Sequence, residues 1–149
     1  MNATHPVSVT VVREFDAPAE RLFDAWLDER MIGQWMFGAA LRDEEILRIA
    51  VDARVGGKFS FLVRREGTEI DHVGTWLEID RPRRLAFTWG ITGESVDESR
   101  VTIDFVQAGT RTQLTLTHEL APKWAEYASR TEAGWTYMLE TLGKLLLRS

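Results

Sequence analysis

The chain has 149 residues, a formal charge of −5 and no cysteine. That length can bury a core without metal or disulfide, so the expectation is a single domain over 1–149. The acidic balance argues against a nucleic-acid surface, and the missing thiols exclude disulfide scaffolds, thiolate zinc sites and cysteine nucleophiles. No apolar run reaches the roughly 18 residues a membrane span requires, and residues 1–6 carry no signal-peptide core. A cytoplasmic location is expected.

Residues 7–15, VSVTVVREF, alternate and are rich in β-branched side chains, which predicts a strand. Asp16-Ala17-Pro18 then reads as a helix start, with Asp16 as N-cap and the proline in the first turn. Leu22, Phe23, Trp26 and Leu27 form its apolar stripe as far as Asp28, and a shorter helix through Met31, Ile32 and Trp35 follows. From Ile46 to Glu119 the period changes to two. Strands are predicted at 45–53, 57–66, 70–79, 84–91, 99–107 and 111–119. Gly56-Gly57, Glu66-Gly67, Asp80–Arg83, Gly93-Glu94 and Ala108-Gly109 separate them. Such short connections imply antiparallel hairpins. Helical spacing returns from Lys123 to Leu147, where Trp124, Ala128, Thr131, Trp135, Met138, Leu142 and Leu145 share a broad face with Leu139 and Leu146. Gly134 marks a close approach to the sheet or a bend. The order is α+β, not a βαβ pattern.

Strand parity states which side chains meet that last helix. Phe59, Phe61 and Val63 share one face, as do Leu85, Phe87 and Trp89, Val101, Ile103 and Phe105, and Leu114 and Leu116. His118 continues the last set and should point inward. In 70–79 the parity is ambiguous between His72, Gly74 and Trp76 and the alternate set; Gly74 signals a bulge or a close approach.

The phrases REFDAPAERLFDAWLDERMIGQWM (13–36), VGGKFSF (55–61), HVGTWLEIDRPRRLAFTW (72–89), VTIDFVQAGTRTQLTLTHE (101–119) and GWTYMLETLGKLL (134–146) cover nearly the whole chain in order. Together they resemble the START-like (SRPBCC) superfamily, the helix-grip or birch-pollen-allergen-like fold. Within it they are most similar to the branch related to the activator of the heat-shock-protein-90 ATPase. The resemblance implies a curved antiparallel sheet wrapped around a long C-terminal helix, two short helices after the first strand, and an internal cavity. The superfamily holds carriers, receptors, cyclases and co-chaperones, so fold alone does not choose the activity.

Three functions are weighed. The first is a binding module for a small hydrophobic or amphipathic molecule, with Trp35, Phe61, Trp76, Phe87, Trp89, Phe105, His118, Trp135 and Met138 as cavity walls and Arg100 and Tyr137 as polar or rim groups. The second is a chaperone-interaction module. The family's activator uses an additional amino-terminal domain that these residues do not match, so ATPase activation ranks lower. The third is a polyketide-cyclase-like enzyme with His118 or Tyr137 assisting proton transfer, although no residue forms a convincing catalytic set. A homodimer is a further option.

His5 needs no role, and His72 reads as exposed decoration near Glu69 or Asp71. An inward His118 needs a hydrogen-bond partner, with Tyr137, Glu119 and Arg100 as candidates. No spacing suits a metal, and no cofactor is expected. Glu44-Glu45 and Asp97-Glu98 are neighbours on strands and face opposite ways. Arg64-Arg65 and Arg81, Arg83 and Arg84 read as solvated strand ends and turns.

Overall fold

The computed structural model describes residues 7–39, 41–92 and 99–147. His5, the Asp97-Glu98 pair and the Gly93–Asp97 loop lie outside the described residues. The strands are β1 Val7–Phe15, β2 Glu45–Val51, β3 Lys58–Arg65, β4 Thr68–Asp80, β5 Arg84–Thr88, β6 Gly90–Ile91, β7 Arg100–Ala108 and β8 Arg111–Leu120. The helices are α1 Ala19–Asp24, α2 Glu29–Trp35 and α3 Ala128–Leu147, the last preceded by a 3₁₀ segment, Pro122–Tyr127. The sheet is antiparallel, with strand order β1-β8-β7-β5-β4-β3-β2 and β6 paired to β4. It curves around α3, which packs along β1 and against α2. This is the helix-grip arrangement that the family resemblance implied.

Alternation builds the inner face. In β8, Thr112, Leu114, Leu116, His118 and Leu120 are buried, and β1 sets Val9 opposite His118 and Val11 opposite Leu116. Parity in β4 resolves toward His72, Gly74 and Trp76, all buried. Gly74 is a close approach: a Cβ there would lie 1.9 Å from the Thr88 carbonyl oxygen and 2.5 Å from the Phe59 ring. The bulge falls instead at Leu77, where the β4–β5 register shifts between Trp76 and Glu78.

Three local expectations are corrected. Asp16 does not cap α1; Pro18 takes that position without a side-chain bond, and the free Ala19 N–H donates to Gln107 Oε1 at 2.8 Å. A tertiary contact thus replaces the local cap. The first helix ends at Asp24 rather than Asp28, because Asp28 starts α2, accepting from the Arg30 and Met31 N–H groups at 2.9 and 3.3 Å. Gly134 does not meet the sheet, since nothing lies within 4 Å of a Cβ built on it, and α3 continues through it without interruption.

The turn arginines are solvent-exposed, as expected, and each is ion-paired. Arg81 forks onto Asp24 with two 2.8 Å bonds, tying α1 to the 80–83 turn. Arg83 meets Asp80, and Arg84 meets Glu78 and Asp104. A buried cluster of aromatic and aliphatic residues fills the space between α1, α2, the sheet and the C-terminal half of α3. There Leu139, Leu142 and Leu146 are buried, whereas Thr131, Gly134 and Met138, nearer the start of the helix, are only half-buried. Packing is therefore complete at one end of the grip and open at the other.

Candidate functional site

The open end is a recess of about 770 Å³ between the sheet and the first half of α3. One wall is a train of rings. Phe37, just past α2, lies 4.7 Å from His72, which is 5.6 Å from Trp89; Trp89 is 5.4 Å from Trp135, and Trp135 is 6.1 Å from His118, all between centroids. Trp124, Tyr127, Thr131, Gly134 and Met138 form the helical side. The missing side chain of Gly134 leaves room there.

Four of the expected wall residues, Trp89, His118, Trp135 and Met138, line this recess. The other five do not. Trp35 is fully buried, its indole donating to the Ala25 carbonyl at 3.0 Å. Phe105 packs on Phe23 at 5.4 Å, and Trp76 meets Phe87 edge-on at 5.1 Å. Phe61 is sealed between Phe37 and Phe59. These rings are core because α1 and α2 cover the sheet at that end. Neither polar candidate reaches the recess: Arg100 is exposed, and Tyr137 is 45% exposed on the outer side of α3. Tyr137 fails by helical phase, since it follows the buried Trp135 by two residues, about 200° around the axis.

His118 is inward, as parity predicts, but its partners differ from Tyr137, Glu119 and Arg100. The Trp135 Nε1–H donates to His118 Nδ1 at 3.0 Å, and His118 Nε2 bonds Ser99 Oγ. An indole N–H can only donate, so Nδ1 must carry a lone pair and the imidazole proton sits on Nε2. Burial lowers the His118 pKa from 6.5 to about 4, which keeps the ring neutral at pH 7. The Nε2–H therefore donates to Ser99 Oγ. A serine nucleophile needs the opposite arrangement, in which the imidazole nitrogen accepts its proton. His118 has no lone pair left for a base role.

His72 corrects another reading. It is buried, 8% exposed, and its Nδ1–H donates to the Phe61 carbonyl at 3.1 Å. Desolvation pushes its pKa down, partly opposed by that bond. The ambiguous parity of 70–79 concealed its inward face.

Three guanidiniums, from Arg42, Arg65 and Arg130, border the recess, and no carboxylate does so among the described lining residues. Arg42 and Arg65 are held by Glu44, whose side chain is fully buried and also accepts the Gly38 N–H at 2.8 Å. Glu45 faces the other way, toward Arg64 at 2.9 Å, so the two neighbouring carboxylates form no dyad. Arg130 lies 5.4 Å over the Tyr127 ring. Sequence reasoning missed Phe37, Arg42, Arg65, Ser99, Tyr127 and Arg130 as site residues. Only Ser99 had a usable signal, because it continues the inward parity of Val101, Ile103 and Phe105.

Among the described residues no cluster of three metal-ligating side chains occurs, and no helix is long and apolar enough to cross a membrane. The fold recurs in solved structures. A protein from Chromobacterium violaceum is 24% identical, with a TM-score of 0.80, over 94% of this chain and 97% of its own. An AHSA1-like protein from Aeromonas hydrophila is 22% identical, with a TM-score of 0.76, over 93% and 90%. A protein described as an HSP90 activator from Plasmodium falciparum is 27% identical, with a TM-score of 0.72, over 93% and 95%. A search of curated proteins finds no match. The family model for activator of Hsp90 ATPase homolog 1-like proteins matches residues 16–147, from the turn before α1 to the last turn of α3. The curved sheet, the gripped helix and that match agree, and the chain belongs to this AHSA1 family within the START-like superfamily.

Proposed function

We propose that the chain is a binding or carrier domain for a small amphipathic molecule held between the sheet and α3. The observation that carries this reading is the recess of about 770 Å³, whose surface is mainly apolar, from Phe37, Trp89, Trp124, Trp135 and Met138, with polar groups at Ser99, His118 and the bordering arginines. That volume and that combination of apolar wall with placed polar groups suit a small amphipathic ligand. The absence of a side chain at Gly134 adds room on the helical side, where a 3₁₀ segment of about two turns leads into α3.

Native mass spectrometry of gently purified protein, followed by organic extraction, tests the reading. A stoichiometric released molecule supports it. The Gly134→Leu variant, which fills the recess from the helix side, should lose that molecule while remaining folded. Retention of the same ligand by a folded Gly134→Leu protein would refute the location.

A second reading, a chaperone-interaction module, draws on the 27% identity to the Plasmodium falciparum HSP90 activator. A stimulated ATPase rate on mixing this chain with purified Hsp90 would favour it. An unchanged rate and no co-purification would remove it.

A further inference from the structure

The geometry points to Ser99 as the ligand-recognition donor of the recess, selecting molecules that carry a carbonyl-type hydrogen-bond acceptor on an aromatic body. This inference rests on the carrier reading and names the chemistry the site would accept. Three linked observations carry it. The Trp135 indole donates to His118 Nδ1, which obliges the proton onto Nε2. That proton is given to Ser99 Oγ, so the serine hydroxyl cannot point its own hydrogen at the imidazole. Ser99 is buried yet lines the recess, and no other described side chain meets its Oγ.

The hydroxyl hydrogen is therefore left for whatever occupies the cavity. Its aim is restrained at both ends. The Ser99 carbonyl accepts the Trp89 N–H at 3.1 Å, which pins the backbone, and His118 pins Oγ. Trp135 and His118 act as positioning residues: they set the direction of one donor without meeting the ligand's polar atom themselves. The neighbouring wall is aromatic, through Trp89 and Trp135, so a planar body would stack while its acceptor meets Ser99. The three guanidiniums at the border, with no described carboxylate among the lining residues, disfavour a cationic head.

Two isosteric probes test this: 2-acetylnaphthalene, which has the acceptor, and 2-isopropenylnaphthalene, which lacks it. Titrated against the full chain by tryptophan fluorescence, the ketone should bind about fivefold to tenfold more tightly, the range expected for one buried hydrogen bond. Ser99→Ala should erase that ratio while leaving the isopropenyl compound bound. Equal affinities in the wild-type protein would overturn the inference and leave the carrier reading intact, whereas no binding of either probe would count against both. If Ser99→Ala fails to fold, nitrogen-15 NMR of His118 in the wild-type protein decides instead. An Nε2–H tautomer at neutral pH is expected, and an Nδ1–H tautomer would overturn the proposal.

Discussion

Lowering the pH from 8 toward 4 puts a proton on His118 in the unfolded chain well before the folded chain accepts one. The unfolded ring titrates near 6.5 and the folded ring near 4, because burial among apolar side chains penalises the imidazolium. Protonation would also place a hydrogen on Nδ1, facing the Trp135 indole N–H that now donates to it. Since the folded value is depressed for a base, the stability contribution is complete above pH 6.5, declines as the pH falls toward 4 and is flat below. The gap corresponds to about 3 kcal/mol in full, of which about 2 kcal/mol is lost by pH 5. His72, also depressed, adds loss in the same direction, and Asp24, whose pKa is lowered mainly by its Arg81 hydrogen bond, adds more at lower pH. Comparison with His118→Gln cancels both contributions, which the two proteins share, and glutamine can accept from Trp135 and donate to Ser99 without titrating. Urea unfolding of the two proteins at pH 8, 6, 5 and 4.5 should show the wild-type advantage shrinking by about 2.5 kcal/mol across the series. A difference between the two proteins that stays constant within about 0.5 kcal/mol would refute the reasoning.

Other substitutions test the framework around the recess. Gly74→Ala forces a methyl group against the Thr88 carbonyl and the Phe59 ring, and should cost more than about 3 kcal/mol in chemical unfolding or prevent folding outright. Glu44→Gln leaves Arg42 and Arg65 without their shared buried carboxylate and should cost about 3 kcal/mol, read as a lower urea midpoint at neutral pH. Gly134→Ala has open space for its Cβ within a continuous helix, so thermal unfolding should show a gain of about 0.5–1 kcal/mol.

Much of this architecture could be read from periodicity. The strand 7–15 was expected where β1 runs, and β7 and β8 fall within a residue of their expected positions. The inward course of His118 followed from counting by two along β8. These features depend on local alternation, which survives without knowledge of what packs on top. The break of the 84–91 segment into β5 and β6 around Trp89 was not legible, nor was the 3₁₀ start before α3. Both depend on pairing with other strands or on a neighbouring loop.

The division is sharpest among the aromatics. Sequence identified Trp35, Phe61, Phe87, Trp89, Phe105 and Trp135 as one inward-facing population, because parity and helical phase assign a face, while the parity of the strand holding Trp76 stayed ambiguous. It could not separate those sealed beneath α1 and α2 from those left at the open end, since a face has no depth until helices are laid across it. The same holds for charge. Arg42 and Glu44 are neighbours in a polar segment and Arg65 is 21 residues beyond Glu44, so all three read as solvated; only the return of β3 beside the segment after α2 brings the second guanidinium to the buried carboxylate. What the sequence by itself determined is the alternation, the helical stripes and hence the inward side of each element. What the tertiary structure alone decided is coverage, and with it the tautomer of His118: a hydrogen bond from a helix indole across to a strand imidazole requires the helix to be seated before either residue has a partner.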